Sequence, residues 1–216
     1  MEVRVDPVVT AGLFAQLARD LHQQEGGKIA ERVQQFALDL FGCSQVNLFE
    51  ITAARGLASE PAQAALASRD VVVVPDTLTE DRWPVWAEAT AKAGLRSALI
   101  LPLFGDRSEL GILELSSVHP YQFEAADVLT ALALAGHASL AMQASRLEAT
   151  LHQAIASHQL SGQATGMLME RYGIDAGQAF AVLRRYSQDN NIKLRDVSRQ
   201  LLDTGQLPGG KNTSVA

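Results

Sequence analysis

The sequence predicts an α+β protein: an N-terminal antiparallel sheet flanked by helices, a long connecting coiled-coil helix, and a C-terminal three-helix module. Three observations predict it. Short apolar runs separated by turn residues lie between residues 45 and 116, as strands of one sheet do. From Glu124 to about Tyr172 there is no proline and much alanine and leucine, which reads as one long helix. After Gly173 come two short amphipathic segments.

The elements follow in order. Val8 to Gln24 places Leu13, Phe14, Leu17 and Leu21 at helical spacing, and Gly26-Gly27 breaks it. Ile29 to Phe41 carries Ile29, Val33, Phe36, Ala37 and Leu40 on one face, with Gly42 as its stop. Gln45 to Thr52 and the β-branched run Asp70 to Val74, closed by Pro75, read as strands. Pro84 to Ala93 reads as a short helix with proline in its first turn. Ser97 to Leu103 and Leu110 to Ser116 form two more strands joined by a hairpin-like loop over residues 104–109. In the long helix, Leu140, Ala144, Leu147, Leu151, Ala154 and His158 step by 4, 3, 4, 3 and 4, a short heptad stripe. It suits either packing on its own domain or a parallel coiled-coil dimer, whose contact residues are then Leu140, Leu147 and Leu151. Asp175 and Gln178 form a capping box for the next helix, whose buried face is read as Ala179, Phe180 and Leu183. Asn190 and Asn191 suit a left-handed helix end, and a last helix buries Leu194, Val197 and Leu201. The expected domains are 1–140, a linker helix 141–159, the helical module 160–205, and a disordered tail 206–216.

Composition excludes several classes. With 216 residues, 47% hydrophobic and 19% charged, the chain buries a core without disulfide or metal staples. Cys43 is the only cysteine, so neither a disulfide framework nor a zinc cluster can be built within the chain, which fits a cytoplasmic location. The start carries Glu2 and Asp6 and does not read as a secretory signal, and the longest apolar runs are too short to cross a bilayer. The five histidines form no metal pattern, and no phosphate loop is present. No metal, cofactor or catalytic set is expected, and Cys43 reads as a small buried residue. The net charge of −6 is unevenly spread. Residues 1–149 hold 11 Lys and Arg against 19 Asp and Glu, whereas residues 150–216 hold 7 against 5.

Val71 to Asp76, Trp83-Pro84-Val85-Trp86, Arg96 to Leu103 and Gly111-Ile112-Leu113-Glu114-Leu115 together resemble a GAF domain over residues 1–140. The resemblance implies a sensor that binds a small ligand between its sheet and covering helices. The Asn-Lys-Phe-Asp-Glu signature of cyclic-nucleotide-binding members is absent. Trp83 and Trp86 line such a pocket or cap the sheet. Asp76 offers no basis for a phosphoacceptor, because no receiver-type acid pocket accompanies it.

Gly162-Gln163-Ala164-Thr165-Gly166-Met167-Leu168-Met169-Glu170-Arg171, then Gly173-Ile174-Asp175, Ala179-Phe180, Leu183-Arg184, Ser187-Gln188 and Asn191 to Val197, resemble an ANTAR domain. The family consists of RNA-binding transcription antiterminators that act as dimers. Its target is a pair of adjacent hairpins in nascent RNA, and binding blocks a terminator hairpin. The resemblance implies RNA contacts by Ala164, Thr165, Gly166, Arg171, Arg184, Arg185, Ser187, Gln188, Lys193 and Arg195. The chain departs from the family at Thr165, where lysine is usual, and at Ser198, where alanine is usual. Arginine suits such a role because it pairs bidentately with phosphate or stacks on a loop base. Ignoring the resemblance, a solvated helix face explains these cations. Two other readings stay open: a DNA-binding helix-turn-helix formed by the last two helices, and a ligand-binding or redox GAF protein whose helices only dimerise. The Ser187 to Lys193 connection is too long and polar for the tight turn of the first.

Overall fold

A computed structural model describes residues 7–22, 28–51, 59–106 and 108–207. The expected Gly26-Gly27 break and almost all of the expected disordered tail lie outside them. The chain divides into two compact units, Met1–Arg146 and Leu147–Ala216.

The first unit is built on one antiparallel sheet. Helices α1 (Pro7–His22) and α2 (Ile29–Phe41) precede β1 (Gln45–Glu50), and α3 (Glu60–Ser68) leads to β2 (Val72–Val74). A 3-10 turn (Thr77–Thr79) and α4 (Pro84–Lys92) lead to β3 (Ser97–Phe104) and β4 (Glu109–Ser117). Then α5 (Ala125–Tyr172) begins in this unit and ends in the second. The sheet order is β1-β4-β3-β2, with every pair antiparallel. β3 and β4 are the inner strands and are apolar on both sides, so they read as continuous runs rather than as alternation.

Each face has its own core. On one, Leu99, Leu101, Leu103, Leu113 and Leu115 pack with Leu17 of α1, Val33 and Ala37 of α2, and Ala131, Leu134 and Ala138 of α5. On the other, Val72, Val74, Ala98, Ile100 and Ile112 pack with Ala62 and Ala65 of α3. The expected bounds of α2 match the structure. Gly42 ends it in the left-handed region at φ 56°, donating its N–H to the Leu38 carbonyl. Helix α3 is an addition to the expected order. Ser59 caps it, accepting from the Ala62 N–H, and proline sits in its first turn. Its alanine-rich face is too small-chained to show as an apolar stripe.

β2 is a three-residue edge strand. Arg82 donates to the Val73 carbonyl at 2.8 Å, pairs with Glu80, and lays its guanidinium 4.4 Å from the centre of the Trp83 ring.

In the second unit, the end of α5 packs with α6 (Ala176–Asp189) and α7 (Leu194–Thr204). Its core is Ala164, Leu168, Ala179, Leu183, Val197 and Leu201. The Asp175–Gln178 capping box is complete, with bonds of 2.8 and 3.1 Å. Asn191 takes the left-handed conformation at φ 52°. Phe180 differs from its expected core position. It is 41% exposed, because Ala179 and Leu183 fill the inward positions of α6.

Against the expectation of no membrane-length segment, α5 is long and apolar enough, by length and composition, to cross a bilayer. Its apolarity is spread over many turns rather than gathered in one run. Ala131, Leu134, Ala135, Ala138 and Met142 of this helix are buried in the protein's own core.

Candidate nucleic-acid interface and sensor site

The second unit sorts the ten residues implied as RNA contacts into three groups. Ala164 is fully buried in the module core, so its methyl packs inward and offers no surface to RNA. Three others are engaged within the module. Thr165 donates its hydroxyl to the Ser161 carbonyl at 2.7 Å, and Ser187 donates to the Ile192 carbonyl at 2.6 Å. Arg171 donates to the Gly205 carbonyl, tying the end of α5 to the end of α7. These donors shape the module before they meet any ligand.

The remaining six leave more to a ligand. Gly166, Arg184, Arg185, Gln188 and Lys193 are exposed. Arg184 and Gln188 lie one turn apart on α6, so they share a face. Arg185 approaches Asp189 at 3.5 Å, but both side chains are mostly exposed and such a pair contributes little. Lys193 is the residue before α7, and Arg195 lies half-buried beside Asp196 at 3.4 Å. Solvated guanidinium groups at the surface of a small helical bundle can reach phosphate oxygens or stack on unpaired bases.

Ser198 is fully buried and its Oγ has no hydrogen-bond partner. A buried hydroxyl without a partner loses its hydration with nothing in return, and serine is a weaker helix former than alanine. Ser198→Ala is expected to stabilise the module by about 1 kcal/mol. Urea unfolding of the full chain checks this. An unchanged or lower midpoint contradicts the assignment.

In the first unit, Trp83 and Trp86 are partly buried and pack against the core under α3. A groove of about 460 Å³ lies beside α4, lined by Thr77, Leu78, Glu80, Pro84, Ala87, Glu88, Ala91 and Lys92, and by neither tryptophan. Cys43 is buried, and burial pushes its thiol up to about 11, away from the reactive thiolate.

Asp76 has a role the sequence did not suggest. It receives Arg96 Nε at 3.0 Å and Nη2 at 2.7 Å, and it accepts the Leu78 N–H at 3.0 Å. The Arg96 guanidinium, then the Leu78 N–H, hold its carboxyl below the ordinary range. A depressed folded-state pKa contributes stability above the unfolded value that disappears as pH falls through the folded one. Asp76→Asn is therefore expected to lower Tm at pH 7, with the two proteins converging at acid pH. Parallel melts at pH 7 and pH 3 check this, and an equal gap at both refutes it.

Comparison with known proteins agrees with these two units. A GAF-domain family model matches residues 10–143, and an ANTAR-domain model matches residues 149–202. No curated protein matches the chain in sequence. Among solved structures, a free methionine-R-sulfoxide reductase from Neisseria meningitidis in complex with its substrate is 20% identical. The match covers 65% of this chain and 92% of that one, with a TM-score of 0.55. A phycocyanobilin-bound GAF domain from a cyanobacterial phytochrome is 12% identical over 64% and 96%, with a TM-score of 0.53. The GAF domain of an Acinetobacter phosphoenolpyruvate-protein phosphotransferase is 10% identical over 65% and 97%, with a TM-score of 0.52. At these identities the likeness is one of fold.

The first unit defines the class, a GAF domain. The chain belongs to the GAF family and carries an ANTAR domain after its GAF domain, the arrangement of a GAF-regulated antitermination regulator.

Proposed function

We propose that this chain is an RNA-binding antitermination regulator that binds paired hairpins in nascent RNA as a homodimer, under control of a small-molecule or partner signal at its GAF domain. It works in the cytoplasm and is not an enzyme. The observation that carries the reading is the ANTAR match over a compact three-helix unit that leaves Arg184, Arg185, Gln188 and Lys193 exposed. Of the implied contacts, Ala164 is set aside as packing. Thr165, Arg171 and Ser187 become positioning residues, and the exposed cations take the RNA. Residues 141–159 serve as the linker helix.

Dimerisation is supported by α5. Leu140, Leu147, Leu151 and Ile155 are each more than half exposed, and Ala144, Ala154 and His158 of the heptad stripe are exposed as well. A large-residue apolar stripe left in water is stabilised by pairing with its copy. Leu147→Glu with Leu151→Glu is expected to convert a dimer to a monomer in light scattering. A variant of unchanged mass places the dimer contact elsewhere.

The function is tested by measuring binding of the full chain to a two-hairpin RNA, a single hairpin and a DNA duplex across a salt series. Preference for the two-hairpin RNA, weakening with salt, supports antitermination. Preference for the duplex supports the helix-turn-helix reading. Binding to none of them, with the dimer intact, leaves the C-terminal helices as a dimerisation element.

A further inference from the structure

Among the described residues, the GAF half holds a carboxylate without a counter-ion on a part of the sheet beyond the core under α3. Helix α3 packs over β2, β3 and Ile112, through Ala62 and Ala65. The same face continues over β4 and the edge strand β1. There, register pairs Asn47 with Glu114 and Phe49 with Ile112, while Ile100 of β3 flanks Glu114 on its other side. Phe49 and Glu114 are therefore diagonal neighbours on adjacent strands, within reach of each other's side chains.

Three properties of this place point to one ligand chemistry. First, Glu114 is half-buried and accepts no hydrogen bond or ion pair from the described residues. Two other carboxylates of the unit, Asp76 and Glu80, have guanidinium partners in Arg96 and Arg82. Burial accordingly pushes the Glu114 carboxyl up. Second, its oxygens are not sealed, since the sole fully enclosed side-chain polar atom without a partner among the described residues is Ser198 Oγ. Third, Phe49 is 50% exposed on the same shelf, and an aromatic face attracts a cation much as a carboxylate does. The Asn47 side chain is half-buried on the same face, and its amide oxygen can accept an N–H.

We propose that Glu114, Phe49 and Asn47 form a binding site for a small organic cation, an alkyl- or aryl-ammonium or a guanidinium compound. This rests on the reading of the GAF domain as a small-molecule sensor and names the chemistry of its signal. The carboxylate supplies charge pairing, and the exposed ring supplies cation–π attraction and an apolar face for the ligand's hydrocarbon body.

The test uses the purified full chain with two cations, phenethylammonium and agmatine, each beside a neutral or anionic counterpart, 3-phenylpropanol and acetate. Calorimetric titration and thermal shift are read on the parent, Glu114→Gln and Phe49→Ala. The expected result is binding of at least one cation, weakened tenfold or more in Glu114→Gln and several-fold in Phe49→Ala. Glu114→Gln itself is expected to melt no lower than the parent, because it removes an unpaired, desolvated charge. Equal cation binding by the parent and Glu114→Gln, or no cation binding at all, overturns the proposal. If 3-phenylpropanol binds and the cations do not, the sensor reading stands and the cation site falls.

Discussion

Replacing Arg184 and Arg185 together with alanine is expected to weaken two-hairpin RNA binding by about 100-fold at physiological salt. The effect is large because a dimer carries each arginine twice, so four cations are lost from one complex. If all four face phosphates, the slope of log affinity against log salt falls by up to about 3. The fold should be untouched. Both side chains are exposed, neither belongs to the module core, and the Arg185–Asp189 approach is a weak surface pair. Filter binding at several salt concentrations, with circular dichroism as the control, reads all of this. A folded variant that keeps affinity and salt slope moves the RNA surface to Lys193 and Arg195.

Gly111→Ala is expected to destabilise the GAF half by about 3 kcal/mol, or about 10 °C in Tm. A Cβ on Gly111 falls inside contact distance of the Phe49 backbone carbonyl on β1. Backbone of a paired strand cannot swing aside as a flexible side chain can, and Met142 of α5 closes in as well. The result is strand separation or a broken register rather than a local adjustment. Tryptophan fluorescence follows this unfolding, because Trp83 and Trp86 both lie in the first unit. A Tm within about 2 °C of the parent, on the order of the smallest core effects, would show that the β1–β4 pair yields to an added methyl group. Such a close approach explains in physical terms why glycine opens the Gly111-Ile112-Leu113 run.

Much of the fold was legible because local chemistry and tertiary role coincide. In α2, one apolar face and a C-terminal glycine mark both bounds. In α6, Asp175 and Gln178 announce the cap, and Asn191 announces the turn that follows. The inner strands were visible as apolar runs because an apolar core lies on each face of the sheet. Helix α3 escaped because its buried face is alanine, although Ser59 and Pro61 carry the start signal. Phe180 was misplaced because helical spacing gives a face and not its depth of burial.

The candidate interface was legible as a set of residue types and not as a set of free groups. Nothing in the order of residues shows that Thr165, Arg171 and Ser187 use their donors within the module. Nor does it show that Ala164 faces the core. The Asp76–Arg96 pair spans 20 positions, and the Glu114 shelf exists only once β1 lies beside β4. Both depend on strand register, which hydrophobic patterning constrains without naming the partners.

The Arg82 clasp on β2 bears on how this protein avoids growing into a polymer. An unpaired strand at the rim of a sheet invites a matching strand from another molecule. Here the rim is three residues long, and a bulky cation occupies the Val73 carbonyl that an incoming N–H would seek. Strand-to-strand stacking through this rim is thereby hindered. Loss of Arg82 would then register first as precipitation of the concentrated protein, well before it registered in the signal the protein carries.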